Sequence, residues 1–247
     1  MEKKRKEKKW FKVVKKIMRV RYKETKFVYQ GEKIEEDAII VCNHEGTDSP
    51  MAWEMYSGIP VSFWGAYQMN SGLRKMYTYQ SKVYFHQKKG MNLFLARLFC
   101  LIASPLTNMF YKGLDVISTY EDARLKKTMR ESFERLDEGR NLVIFPEKSD
   151  NGYQARLEGF HSGVALLLEL RERRGIDSTV YSAYYNKEKN ICLVGAPKKY
   201  SEISEGCETR EEVAAKLCDL CNELGEETFS MESNREKKKE TASVSSL

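Results

Sequence analysis

Three histidines occur in the 247 residues, at positions 44, 86 and 161. His44 is the one whose neighbours point to chemistry. It stands in Asn43-His44-Glu45-Gly46-Thr47-Asp48, directly after the apolar run Ala38-Ile39-Ile40-Val41-Cys42. Where such a loop turns helical, residues i and i+4 face the same way, so the spacing lets Asp48 accept a hydrogen bond from one imidazole nitrogen. The other nitrogen is then left basic, able to take a proton from a hydroxyl, a role worth roughly 10² to 10⁴ in rate. No Ser or Cys lies in a nucleophile-elbow pattern, which favours direct attack by an acceptor hydroxyl over a covalent intermediate on the protein. The plainer alternative has Asp48 capping the next helix and His44 satisfying loop carbonyls. His86 has no carboxylate partner in a recognisable pattern, and His161 reads as a surface helix position.

The elements that must position these residues alternate along the chain. Ala38–Cys42, Val61–Ala66, Leu114–Ser118, Leu142–Phe145, Thr179–Tyr185 and Ile191–Gly195 read as strands. Ser49-Pro50 opens a helix that Gly58 stops, Tyr120–Glu138 is a helix ended by Gly139, and Leu157–Arg171 is a third. Thr209 and Glu212 form a capping-box pair, followed by the stripe Val213, Leu217, Leu220 and Leu224, with Gly225 as the stop. This pattern is that of an α/β domain. Residues 91–111 are the most apolar stretch; Arg97 and Pro105 interrupt it, so an interfacial or re-entrant helix is expected over a spanning one. Aromatic residues and methionines over 67–111 read as the wall of an apolar-ligand site or a membrane-dipping lid, or as ordinary core. Cys218-x-x-Cys221 falls inside the last helix and reads as packed thiols rather than a metal or redox site.

Charge is distributed unevenly. Residues 1–26 hold thirteen Lys/Arg against three Glu, a local +10 within a chain of net +6, which leaves the remainder at −4. Trp10, Phe11, Val13, Val14, Ile17 and Met18 gather at helical spacing among the lysines. Such a basic amphipathic helix suits the headgroup region of an anionic membrane, with Trp10, Phe11, Val14, Ile17 and Met18 inserted. Docking on the body of the protein is the alternative. With 41% apolar residues the chain is not wholly disordered, and with 32% charged residues it is not a polytopic membrane protein. The expected organisation is an arm at 1–26, a domain at 27–225 and a disordered polar tail at 226–247. Six scattered Cys and no signal-peptide h-region point to an intracellular, reduced protein.

Read together, these segments resemble the glycerolipid (lysophosphatidic-acid-type) acyltransferase family. Asn43–Asp48 is similar to its first motif, N-H-x4-D, and Phe145-Pro146-Glu147-Lys148-Ser149-Asp150-Asn151 to its F-P-E-G-T-R-S motif. Gly113–Thr119 falls where the family has G-x-x-x-I-x-R, Phe160-His161-Ser162-Gly163 is similar to F-K-x-G, and Gly195-Ala196-Pro197 to a late G-x-P turn. Order and spacing agree over residues 38–200. The resemblance implies an α/β fold with a mixed sheet flanked by helices. It implies transfer of a fatty acyl group from a thioester, acyl-CoA or acyl-carrier protein, to a hydroxyl of a lysolipid-like acceptor, without metal or resident cofactor. It makes His44 the general base and Asp48 its orienting residue. Pro146, Glu147, Lys148, Ser149, Gly113 and Thr119 become acceptor-binding. Three residues separate His44 from Asp48 where the family has four, and Thr119 and Asp150 stand where it has arginines that contact the acceptor phosphate. Either Lys148, Lys112 or Arg156 replaces them, or the acceptor carries no phosphate beside its hydroxyl. The expected location is the cytoplasmic membrane face, peripheral or monotopic, with lipids as partners and no nucleic acid. The competitors are an inactive lipid-binding member of the same fold and a nucleic-acid-binding protein acting through its basic arm.

Overall fold

The computed structural model describes residues 9–244 apart from 21, 150, 151 and 153, with side chains followed to residue 231. Residues 1–8 of the expected arm, Asp150 and Asn151 of the Phe145–Asn151 segment, and 245–247 of the tail lie outside the described residues.

The strands β1 (Lys26–Tyr29), β2 (Ile39–Cys42), β3 (Val61–Ala66), β4 (Val116–Thr119), β5 (Asn141–Ile144), β6 (Thr179–Asn186) and β7 (Ile191–Val194) form one sheet in the order β1-β7-β6-β2-β5-β3-β4, and the short β8 (Lys198–Lys199) pairs with β6. From β4 to β6 every neighbour is parallel; β7 runs antiparallel to β6 and pairs in parallel with β1. The sheet is therefore mixed and mostly parallel, as expected. Parallel strands are covered on both faces, which is why β2 and, after Asn141, β5 are apolar runs, both strands buried at every residue.

Alternation divides them between two layers. Ile39, Val41, Leu142 and Ile144 pack with the helices α6 (Leu125–Asp137), α7 (Gly163–Glu172) and α9 (Arg210–Val244). Ala38, Ile40, Cys42 and Val143 pack on the other side with Ala52 and Trp53 of α2 (Asp48–Tyr56). The helix α8 (Tyr200–Ser204) follows β8.

The β3-to-β4 connection is helical: α3 (Tyr67–Asn70), α4 (Leu73–Tyr79), a π-helix over Gln80–Lys88, and α5 (Leu93–Tyr111). Asn92 caps α5, accepting from the Phe94 N–H at 2.9 Å. Helix α5 is inverted relative to an ordinary amphipathic helix. Its small and polar residues Ala96, Cys100, Ser104 and Asn108 face the protein, with Ser104 bonded to the Gln80 side chain at 2.6 Å. Phe94, Leu98, Leu101, Ile102 and Leu106 face out, Phe94 and Ile102 each 74% exposed.

Two expectations are corrected. The helix α1 (Lys9–Met18) does not present all of its apolar stripe outward. Phe11 is 2% exposed, and Val14 and Met18 pack with it against Met51, Met55 and Phe110, while Trp10, Val13 and Ile17 stay exposed. The seat exists because Gly113 has no side chain: a Cβ there would come 2.0 Å from Phe11 Cδ2. Gly225, in turn, does not end the last helix, which continues to Val244. Its lack of a Cβ serves close packing, since a Cβ would sit 2.8 Å from Tyr184 Cε2. Beyond it Thr228 is buried and accepts from the Asn186 amide at 3.1 Å, so the tail expected to be disordered from 226 begins as folded helix. The Thr209–Glu212 capping box forms as expected, with both reciprocal bonds at 3.3 Å.

Candidate functional site

β2 and β5 are adjacent and parallel, with Val41 opposite Ile144, so their following loops leave the same edge of the sheet. This brings together segments about a hundred residues apart, and the crevice outside the carboxyl ends of parallel strands is where such sheets bind ligands. After β2, the Asn43 side chain continues the ladder: its amide donates to Tyr185 O at 3.0 Å and its carbonyl accepts from Tyr185 N–H at 2.7 Å. Glu45 and Gly46 then adopt φ of 42° and 67°, turning the chain left-handed before α2 starts at Asp48.

That turn separates His44 from Asp48. The i,i+4 argument holds only inside a helix, and His44 lies before α2. Asp48 occupies the first turn of α2, and its carboxylate pairs with Lys187 Nζ at 2.6 Å. Glu147 is the carboxylate tied to the His44 segment: it accepts the His44 backbone N–H at Oε2, 3.0 Å away. Burial raises the Glu147 pKa above its usual range, against the lowering pull of the His44 N–H. The His44 ring packs on Phe145, centroids 5.1 Å apart. Burial drives its pKa down to about 4, and the charge of Lys88 adds to that against main-chain contacts at Gly46 and His44 that raise it. The imidazole is therefore neutral at pH 7, in the form that accepts a proton.

The second loop is braced from the other side. Glu147 forms a bridge with Phe160, Lys148 N–H donates to Gly159 O at 2.9 Å, and His161 N–H donates to Pro146 O at 2.7 Å. A cleft of about 690 Å³ opens between these loops and the helical insertion. His44, Pro146, Ser149 and Thr119 line it, joined by His161 and Lys88. The Lys88 ammonium, at the end of the π-helix, donates to Ser149 Oγ at 2.9 Å. Thr119 Oγ donates to Gly65 O at 3.1 Å. Farther along, Tyr67 and Tyr120 stack with centroids 5.3 Å apart, and the Arg124 guanidinium lies 4.4 Å from the Tyr120 centroid while pairing with Asp122.

Of the residues expected at the site, His44, Pro146, Ser149 and Thr119 meet in the cleft, and Glu147 stands behind it. Asp48 lines a separate pocket with Lys187, Gly113 lies under Phe11, and Lys148 points to solvent. Lys112 and Arg156, considered as phosphate contacts, do not line the cleft, and Arg156 pairs with Glu226. Lys88 and Lys187 escaped the sequence reading, and Asn43 was read there only as the first residue of the His44 motif. Among the described residues no group of three His, Cys, Asp or Glu is placed to hold a metal ion. Cys218 and Cys221 are buried in α9, and burial raises both thiols, Cys218 to about 11.

The sequence matches no family model and no curated protein. Among solved structures the chain is similar to the 1-acyl-sn-glycerophosphate (LPA) acyltransferase PlsC from Thermotoga maritima, with a TM-score of 0.48 and 14% identity over 88% of this chain and 79% of that one.

Proposed function

We propose that this chain is a membrane-associated O-acyltransferase that moves a fatty acyl group from a thioester donor to the hydroxyl of a lysolipid-like acceptor. The observation that carries this reading is the neutral, half-buried imidazole of His44 facing one cleft with Ser149, Thr119, His161 and Lys88. In the proposed reaction the acceptor hydroxyl loses its proton to His44 as its oxygen bonds to the thioester carbonyl carbon. The tetrahedral oxyanion then collapses, the carbon–sulfur bond breaks, and the imidazolium returns the proton to the leaving thiolate. Glu147 holds the His44 main chain in place, a positioning role instead of the acceptor contact implied by the resemblance. Lys88 lines the cleft and its charge acts on His44, so it stands in for the arginines that Thr119 and Asp150 replace. When an anionic group of the acceptor pairs with Lys88, the ammonium no longer depresses His44, and the base strengthens once substrate is bound.

The outward face of α5 supports attachment to a membrane. Helix α5 is long and apolar enough to cross a bilayer by length and composition, with a mean hydropathy of 1.6. Its inner face, however, carries Ser104 and Asn108 against the protein, an arrangement suited to lying in the interface. An apolar groove of about 280 Å³ between α1 and α5, lined by Ile17, Leu106 and Met109, reaches Gly46 and Thr47 beside His44. Its apolar lining suits an acyl chain.

One observation favours a second reading: the engagement of Asp48 by Lys187 fits a lipid-binding member of the same fold without turnover. The test is mass-spectrometric detection of acyl transfer on anionic vesicles. Acyl-CoA and acyl-carrier-protein donors are offered with lysolipids bearing or lacking a phosphate, beside His44→Ala. Product from the wild type and none from the folded variant supports the enzyme. Lipid binding without product from any pair refutes it in favour of the second reading.

A further inference from the structure

Acyl transfer puts negative charge on the thioester carbonyl oxygen, and His44 serves the acceptor proton, so a second group must donate to that oxyanion. The loop after β5 offers one. Ser149 is half-buried and lines the cleft with His44, its main chain held by the Gly152 N–H, which donates to Ser149 O at 3.1 Å. Its Oγ accepts a hydrogen bond from the Lys88 ammonium at 2.9 Å. An ammonium carries donors and no acceptor, so the direction of this bond is fixed and the Ser149 hydrogen is left to point elsewhere. Among the described residues no group accepts it. Thr119 and Trp64 line the same cleft but spend their hydrogens on Gly65 O at 3.1 Å and Ser132 Oγ at 2.8 Å. Donation into the Ser149 oxygen by a cation strengthens donation out of it. The same ammonium acts on His44 through its charge, which holds the base and this hydroxyl in one electrostatic neighbourhood.

We propose that the Ser149 hydroxyl donates to the oxyanion of the tetrahedral intermediate and that Lys88 positions and polarises it. This role for Ser149 rests on the acyltransferase reading and goes beyond the acceptor contact that the resemblance implies. As the acceptor oxygen bonds to the carbonyl carbon, the carbonyl π pair moves onto its oxygen, which accepts from the Ser149 O–H. When the carbon–sulfur bond breaks, the pair returns to the carbonyl and the hydrogen bond weakens. Ser149 keeps its proton throughout. A serine nucleophile fits this arrangement poorly, because an ammonium that donates to Oγ draws electron density from it and has no lone pair to take its proton. Lys88 keeps two further N–H donors for an anionic group of the acceptor, so its two roles are compatible.

The test uses the full chain on acceptor-loaded vesicles and compares acyl-CoA with its dithioester analogue, in which sulfur replaces the carbonyl oxygen. Sulfur accepts hydrogen bonds weakly, so a donor aimed at the oxyanion matters far less for the analogue. Ser149→Ala is expected to lower kcat by about 100-fold or more with the thioester, and by less than about fivefold with the dithioester, KM staying within about threefold. Ser149→Thr, which keeps the hydroxyl, exceeds Ser149→Val, its equal in size, by a similar margin, and this pair decides the matter if Ser149→Ala does not fold. Lys88→Met costs about tenfold more with the thioester than with the dithioester, and that difference vanishes when Ser149→Ala is also present. Any effect of Lys88 on the acceptor or on His44 is common to both donors and cancels. A Lys88→Met loss equal for both donors refutes the polarising role. A kcat for Ser149→Ala within about threefold of wild type, with His44→Ala inactive, overturns the Ser149 role and leaves the acyltransferase reading standing. An equal Ser149→Ala loss with both donors overturns it too, as does an acyl-serine detected by intact-protein mass spectrometry after exposure to donor alone. No transfer by the wild type from any donor and acceptor refutes the acyltransferase reading and this role with it.

Discussion

Glu147 supplies the sharpest test of how the site is held. Its carboxylate accepts the His44 N–H at 3.0 Å in a buried setting, and a hydrogen bond to a charged group contributes about 1.5–3 kcal/mol. Glu147→Gln keeps the shape and an acceptor oxygen but removes the charge. The bond then weakens by about 1 kcal/mol, partly offset because burial already disfavours the ionised carboxylate. The expected result is a melting temperature within about 4 °C of wild type and a kcat reduced about fivefold. Glu147→Ala also leaves the His44 N–H without its acceptor, costing about 2–4 kcal/mol and lowering kcat by about 30- to 1000-fold. The assay is kcat and KM on acceptor-loaded vesicles beside thermal unfolding of the same preparations. A loss above about 10³ in Glu147→Gln with normal stability would mean that Glu147 moves a proton itself and refute the positioning argument. Full activity and stability in Glu147→Ala would refute it from the other side.

The lowered His44 pKa makes stability depend on pH. With about 4 in the folded protein against an ordinary 6.5, the unfolded chain binds the proton first as pH falls. His44 therefore contributes stability above pH 6.5 that is lost as pH falls through 4, on the order of 3 kcal/mol. Denaturant titrations should show wild type losing about that much more than His44→Ala between pH 7.5 and 4. On α5, Leu101→Asp with Ile102→Asp should reduce partition onto anionic vesicles about 100-fold in flotation while leaving the melting temperature within about 2 °C, both side chains being exposed. Gly225→Ala should destabilise by about 1–3 kcal/mol in chemical unfolding, because the new methyl meets the buried Tyr184 ring.

The fold was legible where burial is two-sided. β2 and the Leu142–Ile144 run of β5 are apolar throughout because both faces are covered, and the Thr209–Glu212 box is local chemistry that reads directly from spacing. The meeting of His44 with the Pro146 loop was anticipated from motif order, and the parallel pairing of β2 with β5 accounts for it. What escaped depended on partners distant in sequence. Lys187 captures Asp48 from the hairpin after β6, and no local pattern announces it. Phe11 misled because an apolar stripe has the same periodicity whether a bilayer or a protein covers it; only Gly113 tells them apart, through a side chain that is missing. Gly225 misled in the same way, since a glycine at a helix end and one beneath a ring are identical in sequence. Lys88 escaped because its partner Ser149 lies 61 residues farther along the chain.

The seat of Phe11 also sets a schedule for synthesis. Helix α1 is made before any surface that receives it: Met51 and Met55 follow later, and Phe110 and Gly113 complete the socket. At ordinary elongation rates the ribosome needs roughly 5–20 s to travel from α1 to Gly113. Through that interval the socket that covers Phe11 is incomplete, so α1 docks on the body only after Gly113 has emerged.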